Sequence, residues 1–237
     1  MLRSEYIKRK NDIDEFFTIL NFIDGVETNV NGRVFNGSIG KNITVNRQMQ
    51  QCLRAEFILV LYNAIESTFS NCIYYVFDAI KDSGLNYFDL REELRKIWIK
   101  EQIKPNTSLD KIRKKLKSIA DNVISNNVVL EELPSDISGN LDMRKIASLS
   151  NSMGNNLGCI PNSNETGTIL LKIKTERNNL GHGNKTFSSV GAELTINDLE
   201  KYKNIVIAFL DYIIEKFESY VADKKYKVSH LEYYLKT

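Results

Sequence analysis

An all-α helical bundle is the fold class this sequence predicts, and three observations carry it. Only 3 prolines and 12 glycines occur in 237 residues. The glycines gather mainly at 25–40, 139–167 and 181–191, which leaves long stretches free of helix breakers. Two of those stretches repeat apolar residues at the 3–4 spacing of a helix with one buried face.

The first helix is expected over 3–22, with Ile7, Ile13, Phe16, Phe17 and Leu20 inward. Residues 24–46 hold Asn31-Gly32 and Asn36-Gly37 among Val and Ile, the pattern of a loop or a small β-hairpin. The central helix is read over 47–81 from Met49, Leu53, Phe57, Val60, Leu61, Ala64, Ile65, Phe69, Cys72, Ile73, Val76, Phe77 and Ile80. Shorter helices are expected at 89–103 and 108–124, the latter with Leu109, Ile112, Leu116, Ile119 and Val123 inward. Residues 125–166 are rich in Asn, Ser and Gly and read as a partly irregular insertion into the bundle, containing a helix at 141–152. A helix at 167–180 starts at Thr166 or Thr168 and buries Ile169, Leu170, Ile173 and Leu180. The last long helix runs over 196–224, opened by Thr195 and Asp198 in capping-box spacing and striped by Leu199, Tyr202, Val206, Phe209, Ile213, Phe217 and Tyr220. Residues 1–237 thus form a single domain.

Hydrophobic residues are 42% and charged ones 26%, which excludes wholesale disorder, collagen-like repeats and disulfide miniproteins. No apolar run exceeds that from Phe57 to Tyr62, far below the roughly 18–20 residues that span a bilayer, and Met1–Lys10 is charged where a signal peptide turns apolar. A cytoplasmic protein without a membrane partner is expected. Cys52, Cys72 and Cys159 are odd in number and lack a C-x-x-C pair, so they read as buried free thiols rather than a disulfide or zinc framework. His182 and His230 are the only histidines, so no His-rich metal site is expected, and His230 lies in a polar tail. The formal charge is +2, yet residues 91–117 hold ten basic against four acidic residues. Lys111, Arg113, Lys114 and Lys115 would form either a phosphate-tracking surface or an ordinary solvated helix face.

The stretch from Thr175 to Gly183 carries the chemistry. Arg177 and His182 are five apart, about 140° around a continuous helix, so their heads diverge unless Gly181 and Gly183 let the chain fold back. Converging, with Asn178 beside them, they make an incomplete acid–base set for phosphoester chemistry: the imidazole moves a proton and the guanidinium forks onto phosphate oxygens. One imidazole cannot serve both the 2′-OH and the leaving 5′-oxygen, whereas two copies across a dimer axis supply both. The alternative is an arginine paired with Glu176 or another carboxylate and a histidine capping the helix end through a carbonyl.

At these residues the sequence resembles the HEPN superfamily of helical nucleotide-binding domains, whose nuclease members carry Arg-x4–6-His with a polar residue after the arginine. It is similar in particular to the prokaryotic MAE-type HEPN-like nucleases, in which three motifs follow in order. They read here as Tyr62-Asn63-Ala64-Ile65-Glu66-Ser67, Ser138-Gly139-Asn140-Leu141-Asp142-Met143-Arg144-Lys145-Ile146, and Glu176 through Gly183. The resemblance implies a metal-independent endoribonuclease without a cofactor, acting as a homodimer with both motif copies in one cleft. It also implies a toxin–antitoxin or antiphage defence setting, with a cognate antitoxin or defence-system partner. Cleavage would proceed by transesterification through the RNA's own 2′-OH. Asn184 stands where relatives silenced by nucleotidyl transfer carry tyrosine, so that control is not expected.

Glu66 has Tyr62, Asn63, Phe69 and Ser70 at helical neighbour positions. It either supports Arg177 or belongs to an internal hydrogen-bonding strip that fixes helix register. Arg144 and Lys145 are candidates to hold RNA, while Leu141, Met143, Ile146 and Leu149 fold their segment. Set against the nuclease stands a catalytically inactive HEPN module that binds RNA or a partner protein, and a purely structural helical dimer.

Overall fold

The computed structural model describes residues 2–26, 32–36, 40–103, 111–112, 116, 119–120, 123, 127–133, 137 and 139–228. Within them the chain is an all-helical bundle with one small hairpin. Helix α1 (Leu2–Asp24) leads through strands β1 (Arg33–Asn36) and β2 (Lys41–Thr44) into α2 (Arg47–Asp82). A 3-10 turn (Tyr87–Asp89), α3 (Glu92–Gln102), α4 (Met143–Ser152), α5 (Ser163–Gly181), α6 (Phe187–Ala192) and α7 (Ile196–Ala222) follow. The strands pair antiparallel with Arg33 opposite Thr44 and Asn36 opposite Lys41, so the hairpin alternative holds for 24–46.

Helix α2 is the axis of the bundle, in contact with α1, α5, α6 and α7. Its side chains from Phe57 to Ile80 explain this: Phe57, Leu61, Tyr62, Ile65, Phe69, Cys72, Ile73, Val76, Phe77 and Ile80 are all buried. Asn46 caps its start by accepting the Met49 N–H at 2.9 Å. At that end Gln50 donates to the carbonyls of Ile23, Asp24 and Val26, and Arg54 pairs with Asp24 at 2.6 Å, binding α1 to α2. Thr195 and Asp198 form the expected capping box, and every α7 stripe residue is buried. Residues 127–157 also feed this core, through Val128, Leu130, Ile137, Leu141, Ile146, Leu149, Met153 and Leu157.

Several expectations need correction. Ile7 is 54% exposed, because Tyr6 and Leu2 take the inward positions of the first turns. Met49 faces solvent in the opening turn of α2, and Leu116 is 52% exposed rather than facing the core. Helix α5 begins four residues before 167, after Asn162 in the left-handed region; the Thr166 and Thr168 hydroxyls bond back to the carbonyls of Pro161 and Asn164 instead of capping. Of the thiols, Cys72 alone is buried, while Cys159 is exposed. The short helix α6 has no counterpart among the expected elements, since six residues carry too little periodicity to register.

Helix α6 seats against α2 through Gly191. A Cβ at this residue would lie 1.7 Å from the Gln51 carbonyl oxygen, a backbone atom that cannot step aside. Gly191→Ala is therefore expected to destabilise the protein by about 3 kcal/mol, the upper range for forcing a methyl into a packed contact. For a chain of this size that lowers the thermal midpoint by roughly 6–12 °C, measurable by calorimetry.

Candidate functional site

The three sequence motifs, far apart in the chain, meet around Arg177. The arginine sits on the last turns of α5, whose Ile169, Leu170, Ile173 and Leu180 are buried, and its own side chain is half-buried. From α2, the Tyr62 ring lies under the guanidinium with its centroid 4.9 Å from Cζ. From the segment before α4, Gly139 lies against it: φ +75° strains any L side chain, and a Cβ would stand 2.9 Å from Arg177 Nη1, so glycine is favoured here. From α5 itself, Asn178 Oδ1 accepts from Arg177 Nη1 at 3.1 Å.

Further hydrogen bonds and an ion pair fix those walls. Glu66, one turn beyond Tyr62 and half-buried, accepts the Gly139 N–H at 3.1 Å. The Tyr62 hydroxyl accepts the Leu141 N–H at 3.1 Å. Burial pushes that hydroxyl up to about 12; the Leu141 N–H opposes the shift, and the neighbouring Glu66 carboxylate adds to it. Tyr62 thus stays a neutral phenol beneath the cation. Asp142 caps α4 through the Lys145 N–H at 3.0 Å and pairs with Lys174 of α5. Burial works against the Asp142 charge, but the Lys174 ammonium and the Lys145 N–H outweigh it and hold the carboxyl below its ordinary range.

His182 is the C-cap of α5 and is exposed. Its N–H still closes a helical bond to the Asn178 carbonyl at 3.0 Å, so the helix runs up to it. Here the glycine argument needs correction. Gly181 is the last helical residue, and the left-handed turn comes at Gly183, φ +71°, one residue after His182 rather than before it. No hydrogen bond links the two side chains.

The bland roles are also absent among the described residues. Arg177 forms no ion pair there. Glu176, the carboxylate nearest in sequence, is buried and takes Lys185 at 3.2 Å and Asn179 at 3.2 Å instead. The His182 side chain makes no hydrogen bond to any carbonyl of the described residues.

Other candidates are dispersed. Arg144 is exposed in the first turn of α4 and Lys145 half-buried beside it, while Leu141, Ile146 and Leu149 are buried, so packing and outward charge coexist on one segment. Lys111 is exposed; Arg113, Lys114, Lys115, His230 and Ser138 of the second motif lie outside the described residues. Part of the basic stretch is consumed by the fold. Arg91 bonds the carbonyls of Gly154 and Lys225 and pairs with Glu93, and Arg95 bonds those of Leu90 and Phe88 over the Tyr87 ring. No group of three or more His, Cys, Asp or Glu among the described residues has the arrangement to hold a metal ion. No helix among them is long and apolar enough to cross a membrane.

Three participants escape a reading by spacing. Tyr62 shows only as an aromatic in a stripe, Gly139 only as a turn residue, and Lys185 stands nine residues from Glu176 across a turn with no periodic signal. The Tyr62–Glu66 spacing of four, which puts a phenol and a carboxylate on one helix face, is the one cue that was available.

Among families of known domains, the model of the HEPN_MAE_28990-like HEPN family matches residues 1–226. No curated protein and no solved structure matches the chain. That match takes in the seven helices named above among the described residues and all three of the segments that close around Arg177, and the chain belongs to the HEPN_MAE_28990-like HEPN family.

Proposed function

We propose that the protein is an endoribonuclease that cuts RNA by attack of a ribose 2′-OH on the adjacent phosphate, at a cleft shared by two copies of the chain. The observation that carries this reading is a cation without a counter-anion among the described residues. Arg177 is held by an aromatic face, an amide oxygen and a glycine backbone, so its charge is free for an anion, and a phosphate matches its forked donors. His182 stands exposed one turn on, able to take or give a proton.

In the reaction one imidazole removes the 2′-OH proton, the 2′-oxygen attacks phosphorus, and a second imidazole protonates the departing 5′-oxygen. The products are a 2′,3′-cyclic phosphate and a free 5′-hydroxyl. Arg177 binds the phosphoryl oxygens as negative charge builds on them. A single chain offers one such imidazole for two proton transfers, which favours a two-fold pairing in which Arg177 and His182 of both copies line one cleft. Arg144, Lys145 and Lys111 would guide the RNA strand. The setting we infer is a cytoplasmic toxin or antiphage defence effector restrained by a cognate partner.

Arg177→Ala and His182→Ala are each expected to abolish cleavage of mixed RNA. His182→Ala should change stability by no more than about 0.5 kcal/mol as an exposed substitution, and Arg177→Ala by about 1–2 kcal/mol through loss of its stacking on Tyr62. Thermal melts beside a gel assay check this; an Arg177→Ala protein that folds and cuts normally defeats the assignment.

Mixing wild-type and His182→Ala subunits tests the shared cleft. Exchanged mixed pairs should be inactive, since their single cleft keeps one imidazole for two proton transfers, so excess variant should lower activity beyond simple dilution. A protein that sediments as a monomer while cutting RNA would exclude the architecture.

Cleavage should persist in excess EDTA and leave a cyclic phosphate end, and a strand with one 2′-deoxy sugar at the scissile position should be inert there. If magnesium restores an EDTA-silenced reaction, or the deoxy position is cut as fast as RNA, the 2′-OH mechanism is wrong. RNA that is retained in a gel shift but never cut would mark an inactive RNA-binding module instead.

A further inference from the structure

The His182 imidazole makes no hydrogen bond or ion pair with any described residue, and residues 181–184 are all exposed. Where the ring sits is therefore decided by the backbone of its turn. That backbone is closed by few bonds: His182 N–H to Asn178 O at 3.0 Å, Gly183 N–H to Leu180 O at 3.2 Å, and the Asn184 and Lys185 N–H groups, which share Asn179 O at 2.8 and 3.3 Å. Solvent-exposed bonds flanked by two glycines open readily on their own.

Beneath the turn lies a bridge that spans it. The Glu176 carboxylate is buried against α5. Its Oε2 accepts from Asn179 Nδ2 at 3.2 Å, on the residue whose carbonyl receives the two turn amides, and its Oε1 accepts from Lys185 Nζ at 3.2 Å. The same ammonium reaches both Glu193 oxygens, at 3.3 and 3.4 Å, at the C-cap of α6. Hydrogen bonding to Glu176 is the largest influence on Lys185 and raises its proton affinity, so the ammonium stays charged at neutral pH. Helix α6 is in turn wedged on α2 at Gly191. The His182 turn is thus tied at Lys185 to the end of α5 on one side and to the α6–α2 contact on the other.

We propose that Lys185 is a positioning residue for His182: by bridging Glu176 and Glu193 it holds the exposed turn in the one backbone conformation that places the imidazole for proton transfer. The proposal deepens the reading of His182 as the proton-transfer group and rests on it. Lys185 touches neither Arg177 nor His182, and its side chain points to the carboxylates, so it acts on the turn rather than on RNA.

Two measurements on the full chain, with Lys185→Met, Lys185→Arg and Glu176→Gln, separate this proposal from that reading. Amide hydrogen exchange needs no activity. In Lys185→Met the amides of His182, Asn184 and Lys185 should exchange at least about tenfold faster, with α2 and α7 unchanged, and Lys185→Arg should keep their protection. In RNA cleavage, Lys185→Met should lower kcat about tenfold with KM within about twofold, Lys185→Arg should restore most of it, and Glu176→Gln should fall between. Unchanged exchange in Lys185→Met overturns the proposal, and so does faster exchange with unaltered kcat, or a raised KM at constant kcat. Should the wild-type chain prove not to cut RNA, the nuclease reading and the catalytic part of the proposal fail together, while the exchange data still decide whether Lys185 holds the turn.

Discussion

Arg177 is a half-buried cation that no carboxylate of the described residues pairs, and the arrangement around it follows from that constraint. A guanidinium removed from water needs compensation, and an acidic partner would provide it while cancelling the charge. The chain supplies a π face, an amide oxygen and a close backbone instead. Stacking on an aromatic ring contributes about 0.5–2 kcal/mol and leaves the forked N–H groups for an incoming anion. Of the described acidic residues around it, Asp142 pairs with Lys174 and Glu176 with Lys185, while Glu66 accepts the Gly139 N–H. Engaging these carboxylates with other partners leaves the guanidinium without an ion pair among the described residues.

All of these placements refer back to α2. It carries Tyr62 and Glu66 on the side facing α5 and the 139–142 segment, and it presents the Gln51 carbonyl to Gly191 on the side facing α6. One rod thereby sets the position of Arg177 through its aromatic floor and, at a distance, the turn that bears His182. The buried run from Phe57 to Ile80 makes that rod rigid, because side chains buried along most of its length resist bending or sliding. Chemistry at the exposed end of α5 is in this sense a property of the core.

Where periodicity or capping chemistry governs, the fold was legible in the sequence. Thr195 and Asp198 announced α7, the stripe of α2 announced the bundle axis, and the order of three motifs announced which segments belong together. Legibility failed where the deciding partner is remote in the chain. Arg91 counts toward the basic excess of 91–117 because nothing local shows that the Gly154 and Lys225 carbonyls will claim it. Gly181 and Gly183 look equivalent in a helix-ending stretch; which of them takes positive φ is settled by the bonds from Asn184 and Lys185 to Asn179. Arg177 and His182 were identified as candidates from the sequence, whereas the Tyr62–Gly139 sandwich required the fold.

The internal use of Arg91 and Arg95 limits how a polyanion can be held. A cation bonded to carbonyls of its own chain cannot shed a condensed counterion from a nucleic acid without first unfastening the fold. Of the ten basic residues between 91 and 117, at most eight remain for that exchange. Each neutralised phosphate of a single strand contributes about 0.7 to the slope of log affinity against log salt, so on the proposed RNA substrate this stretch would supply a slope no steeper than about 6. A grip of that strength would loosen as ionic strength rises, whereas Arg177, partly sheltered from solvent ions, would keep most of its pull on a phosphate already in place.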